Sequence, residues 1–157
     1  MAFDAFLKIE GIEGDSTASK HKGEIEVLSF SWNIRQSIAT GGGGGGAAGK
    51  AVPSDFSIAK HIDKASPALM VAVCSGKHFE EALFTVEQAR GGKGGDAFLK
   101  IKLTDVLISS YQTGGGGNDV PTDQVSLNFA KVEIAVRDER GQWAQEESCD
   151  FLKGTSS

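Results

Sequence analysis

Several things are scarce in this chain of 157 residues, and each scarcity removes a class of function. There are only two cysteines, Cys74 and Cys149, with no CxxC. In a reducing cytosol such thiols act as small hydrophobes, and no disulfide framework or metal knuckle is expected. Basic residues number 16 against 21 acidic ones, for a formal charge of −5. No basic run or face is left to neutralise phosphates, so nucleic acid is excluded as a partner. The longest apolar run, Ala68 to Cys74, has seven residues, whereas a spanning helix needs about 20, so no membrane insertion is expected. Met1 to Gly11 alternates and carries Asp4 and Lys8, leaving no apolar core for a signal peptide. The expectation is a protein made in the cytoplasm which, if it leaves the cell, does so without an N-terminal signal.

Catalytic patterns are equally thin. Gly44 to Lys50 formally matches GxxxxGK, but Ala51 stands where the magnesium-binding hydroxyl belongs, and polyglycine satisfies such a pattern trivially. His21, His61 and His78 lie far apart with no HxH or HExxH spacing. Ser29 and Ser31 lack a GxSxG elbow. Asp55, Asp63 and Asp105 could pair as acid and base only if the fold united them. No cofactor, metal or catalytic set is expected.

What the chain does have is strand periodicity. From Leu28, large apolar residues take even positions (Leu28, Phe30, Trp32, Ile34), with Ser29, Ser31, Asn33 and Arg35 between them. Period-two alternation places the two sets on opposite sides of a sheet. We therefore expect one long strand from Glu24 to about Ser37, with Leu28, Phe30, Trp32 and Ile34 inward. Other strands are expected at Phe3–Ile12, Ala51–Lys60, Glu81–Ala89, Ala97–Tyr111 (bent near Thr104-Asp105), Val125–Val136 (slipping at Ala130) and Trp143–Leu152. Ser66-Pro67 and Gly76 bracket one short helix, with Ser66 as its cap. Thr40 to Lys50 reads as a glycine-rich loop, and residues 153–157 as a frayed tail. The fold class is mainly β: a compact antiparallel barrel or tight sandwich of seven or eight strands, in one domain over 1–157. An eight-stranded barrel is filled by its own side chains, so a channel must lie between copies.

Five blocks in order then carry a resemblance: Asp4-Ala-Phe-Leu-Lys-Ile9 with Gly11-Ile-Glu-Gly14; His21-Lys-Gly-Glu-Ile-Glu-Val-Leu-Ser-Phe-Ser-Trp32; Ile62 to Leu69 with Cys74 to His78; Leu103 to Tyr111; and Val125 to Val132. Together they resemble the haemolysin-coregulated protein (Hcp) family of type VI secretion systems. The family pattern tends to place an aromatic before the terminal Asp, where this chain has Cys149 before Asp150.

The resemblance implies a β-barrel of about eight strands with one short helix packed on it, closing as a hexameric ring with a wide pore. Rings stack into the inner tube of a contractile injector and are expelled, and several members hold effector proteins inside. Tip, sheath and baseplate proteins are the further partners implied, with no enzyme activity. Ser29, Ser31 and Asn33 are then the candidate lumen-facing residues. Gly41, Gly42, Gly43, Gly44, Gly45, Gly46 and Lys50 are the candidates for contact with a neighbouring subunit or ring. The alternatives are a monomeric ligand-binding barrel or a secreted effector. The chain ends about where the barrel should, so no added toxic domain is expected.

Overall fold

The computed structural model describes residues 2–39, 47–89, 95–138, 140–152 and 155–156. The strands are β1 (Phe3–Ile9), β2 (Ile25–Val27), β3 (Ser29–Ser31), β4 (Ile34–Ala39), β5 (Ala47–Pro53) and β6 (Phe56–His61). Helix α1 (Ala65–Ser75) follows, then β7 (His78–Gln88), β8 (Ala97–Gly114), β9 (Thr122–Asn128), β10 (Lys131–Arg137), β11 (Trp143–Asp150) and β12 (Thr155–Ser156). All the pairings are antiparallel.

Strand β1 pairs with β2 and β7, β7 with β8, β8 with β9, β9 with β6, and β6 with β3. β2 and β3 are successive pieces of one segment, separated by Leu28, whose N–H donates to the Ala59 carbonyl at 2.7 Å. The circuit thus returns to β1, but through a change of partner and not through an unbroken ladder. β10, β11 and β12 continue from the other side as a wing, and β4–β5 form a separate two-stranded ribbon.

Inside the circuit, Leu7, Phe56, Phe84, Ile101, Leu103 and Leu127 are fully buried. Phe84 packs on Phe30 at 4.6 Å and Phe56 at 5.1 Å between ring centroids. This cluster joins β7 to β3 and β6 across the interior. The barrel is mainly β, carries one short helix, and its interior is solid.

The segment expected as one strand from Glu24 to Ser37 is three strands. Phe30 and Trp32 do pack against the core, but Leu28 and Ile34 are exposed. Leu28 marks the change of partner, and β4 leaves the barrel to pair with β5, so Ile34 has no interior to enter. The loop expected over Thr40 to Lys50 is shortened from its far end, because Ala47 to Lys50 belong to β5. Glycine and alanine are weak strand formers, yet the hairpin holds them. Ser37 Oγ accepts the Lys50 N–H at 2.8 Å and donates to its carbonyl at 2.9 Å. A Cβ on Gly49 would come within 2.4 Å of the Ser37 carbonyl oxygen, so the close approach requires glycine. Gly41 to Gly46 lie outside the described residues.

The bend in β8 falls where expected. Asp105 has φ 56°, and burial passes from Ile101 and Leu103 to Val106 and Ile108. Opposite it, the run Val125–Val136 is two strands and not one. They still lie in line, since Leu107 faces Asn128 and Thr104 faces Lys131, with Phe129-Ala130 at the bend. Of the tail expected to fray over 153–157, residues 155 and 156 pair with Asp150 and Cys149, and residues 153, 154 and 157 lie outside the described residues. The buried aromatic near the end is Phe151, just after Asp150 instead of before it.

Helix α1 ends on Gly76 (φ 66°), whose N–H reaches the Ala72 and Val73 carbonyls. Its start differs from expectation: Asp63 Oδ1 accepts the Ala65 N–H at 2.9 Å, while Ser66 is buried in a polar network. Leu69 and Ala72 are buried, whereas Met70 and Cys74 face outward.

Candidate functional site: a hydroxyl-bearing wall

Four strands in the order β3, β6, β9 and the second half of β8 form one face of the barrel. Ser31 stands opposite Ser57, Ser57 opposite Ser126, and Ser126 opposite Ser110. A serine row therefore crosses four strands, with Ser57 and Ser126 Oγ atoms 3.3 Å apart. The next row is Ser29, Ala59, Gln124 and Gln112. Intervening residues Phe30, Ile58, Val125 and Tyr111 point to the opposite side, toward the core. The alternation of each strand separates oil from hydroxyl across one sheet.

The wall is almost uncharged. Its one carboxylate, Asp55, accepts from Ser109 Oγ at 2.7 Å and Asn128 Nδ2 at 3.1 Å. Ser29, Ser31, Ser110, Gln112 and Gln124 are exposed, and Ser57 and Ser126 are half-buried. The structure thus unites Ser29 and Ser31 in the wall. Asn33 lies beyond the end of β3, exposed, with its N–H donated to Ser54 Oγ at 2.8 Å. Lys50 is exposed on the ribbon. Ser57, Ser110 and Ser126 were missed, although Phe56-Ser-Ile58 and Val125-Ser-Leu-Asn128 carry the same apolar–polar alternation.

Behind the wall, fully buried Lys60 faces fully buried Asp123 across the β6–β9 pair. Lys60 Nζ donates to Asp123 Oδ2 and Asp63 Oδ1, each at 2.8 Å, and to Ser66 Oγ at 3.1 Å. Asp123 also accepts from Ser66 Oγ at 2.5 Å and Tyr111 Oη at 3.0 Å. This network pins the start of α1 to the back of the wall.

Burial alone would raise the Asp123 carboxyl. Hydrogen bonds from Lys60, Ser66 and Thr113, with the charge of Lys60, outweigh it and hold the group below the usual carboxylate range. A depressed native value means this stability is present above the unfolded-state value, near 3.8, and is lost as pH falls through the folded one. In acid titration followed by circular dichroism, Asp123→Asn is therefore expected to unfold less steeply below about pH 4 than the parent. Equal steepness would remove Asp123 from the acid response.

Asp55, Asp63 and Asp105 do not converge: they bind the wall, Lys60 and His78 respectively. Among the described residues no group of three or more His, Cys, Asp or Glu side chains is placed to hold a metal. Among the described residues no helix is long and apolar enough to cross a membrane.

A family profile described as "Type VI secretion system effector, Hcp" matches residues 6–136. Protein hcp1 of Pseudomonas aeruginosa is 44% identical over 147 residues, covering 93% of this chain and 90% of that protein. The crystal structure of Hcp1 from Salmonella typhimurium superposes with a TM-score of 0.85 at 33% identity, covering all of both chains. Another solved structure, of a type six secretion system protein, gives 0.86 at 30% identity over 99% of this chain and 100% of that one. With the sequence blocks, the barrel and its helix all in agreement, the chain belongs to the Hcp family, the tube proteins of type VI secretion systems.

Proposed function

We propose that six copies close into a ring whose lumen is lined by the serine-bearing wall, and that stacked rings carry effector proteins along it before expulsion. The observation that carries this reading is the pairing of a solid barrel with an exposed, nearly neutral wall of small polar residues. A filled barrel has no conduit of its own, so a passage must form among copies.

The wall also carries the means of closing. Among the described residues, no strand pairs with β3 on the side away from β6, nor with Ile108–Gly114 on the side away from β9. Two different unpartnered edges at opposite ends of one sheet suit a heterologous contact that rotates into a ring. The β4–β5 ribbon leaves Ile34, Ile38 and Val52 exposed. An isolated two-stranded ribbon is marginal in water, so packing on a neighbouring subunit or ring would complete it. Ser29, Ser31 and Asn33 are assigned to the lumen side, and Gly41 to Gly46 with Lys50 to the inter-subunit or inter-ring contact. The chain folds in the cytoplasm, meets tip, sheath and baseplate proteins there, and leaves when the machine fires, as a structural component and not an enzyme.

Light scattering on the purified protein tests this directly: about six chains per particle are expected for the proposed closed ring. One chain per particle overturns the ring. Deleting Gly41 to Gly46 is expected to leave the barrel's melting temperature within a few degrees while weakening ring association or stacking. If the shortened protein associates like the parent, Gly41 to Gly46 play no part in assembly.

A further inference from the structure

We propose that His21 is a proton-dependent latch that fastens the 13–24 segment to the barrel. Its Nδ1 lies 3.1 Å from both carboxylate oxygens of Glu24, and its Nε2 lies 3.2 Å from Glu87 Oε2. The ring stacks on Phe6 of β1, with centroids 4.3 Å apart and planes 8° from parallel. Side-chain exposure is 12% for His21, 13% for Glu24 and 3% for Glu87, so water does little to relieve a mismatch.

The argument is one of donor count. An ionised carboxylate only accepts, and a neutral imidazole offers a single N–H. Two nitrogens facing two carboxylates need two donors, so the closed latch holds one proton more than a neutral histidine with two carboxylates. Removing that proton sets a ring lone pair against a carboxylate oxygen in a nearly dry place.

Charged groups of both signs stand on the strand face beneath the ring, Lys8 two residues along β1 from Phe6 and Lys100 on β8 opposite Thr85. From β1, Asp4 stands opposite Glu87, and from β2, Glu26 stands opposite Phe6. From β7, Thr85 also faces Phe6. Lys20 on the segment turns to Asp96 at 3.6 Å. Among the described residues, no lysine or arginine forms an ion pair with Glu24 or Glu87. Glu24 and Glu87 are thus the two carboxylates on the imidazole, and among the described residues the ring is the basic group placed against both.

The segment under the latch holds itself by its own bonds: Gly14 N–H to Gly23 carbonyl, Ser16 N–H to Glu24 carbonyl, Gly23 N–H to Ser16 carbonyl, Glu24 N–H to His21 carbonyl, His21 N–H to Ala18 carbonyl and Ala18 N–H to Ser16 Oγ, at 2.8–3.2 Å. Glu13 at its start reaches Lys64 beside α1 at 3.2 Å, both exposed. Opening the latch therefore frees the segment without breaking a barrel ladder. The sign follows from the proton: the fastening is present with the proton bound and is lost as pH rises.

Amide hydrogen exchange, corrected for the intrinsic pH dependence of the chemistry, reads this at Gly14, Ser16, Gly23 and Glu24. Between about pH 6 and about pH 9, protection at these amides is expected to fall about tenfold while β7 and β8 are unchanged. His21→Gln is expected to lower protection at both pH values. Glu87→Gln is expected to keep it at both, because the new amide can donate to the bare Nε2. Protection in the parent that does not change with pH, or the parent's full pH-dependent fall persisting in Glu87→Gln, overturns the latch.

Discussion

Lys60→Ala is expected to cost about 3–5 kcal/mol of stability, a fall in melting temperature on the order of 10 °C. The ammonium is fully buried and donates to Asp123, Asp63, Ser66 and the His61 carbonyl. Its removal leaves the fully buried Asp123 carboxylate with only hydroxyls beside it. Desolvating an unpaired charge is the dominant cost, well above the loss of methylene packing. Lys60→Met, which keeps the stem, should therefore remain close to Lys60→Ala. The double variant Lys60→Met/Asp123→Asn should recover part of the loss, because the amide needs no counter-charge. Urea unfolding measures all three. A loss below about 1 kcal/mol for Lys60→Ala would show that water replaces the ammonium freely, contrary to its burial.

Phe84→Ala is expected to rank with it, at about 3–5 kcal/mol, through a cavity and not a charge. Phe84 is fully buried on β7 and touches Phe30 and Phe56 on the two strands that begin the serine wall. Those strands are the ones whose link to β1 passes through a partner change at Leu28, so they depend on this aromatic cluster for support. The variant should expose Ser29–Ser31 amides to hydrogen exchange sooner than those of β8. Uniform loosening would mean that the cluster does not specifically brace the wall. Phe84→Leu, which refills much of the space, should lose clearly less.

Periodicity revealed which residues alternate but not where a strand changes partner. Phe30 and Trp32 follow the inward reading, while Leu28 and Ile34 do not, because burial depends on what lies across the sheet. No local pattern distinguishes β3 from β4. The bend at Asp105 was visible because two apolar parities meet there. Ala47 to Lys50 read as loop from composition, and become strand through Ser37, 13 residues before Lys50, against which Gly49 fits closely. Lys60 and Asp123 were unreadable for the same reason: only the β6–β9 register brings them face to face. The serine row needed registers across four strands, so only its first strand, with Ser29 and Ser31, was anticipated. The expectation of a ring came from family resemblance, since one chain's spacing cannot encode an assembly.

The serine row also has a consequence for direction. A hydroxyl both gives and receives a hydrogen bond, and so does a glutamine amide, while the single carboxylate of this face has both oxygens occupied. A polypeptide sliding past would meet equivalent partners whichever terminus led and whatever its charge. Such a surface has no preferred heading, so if it lines the proposed passage, loading from one mouth and discharge from the other would need no rearrangement of the wall itself.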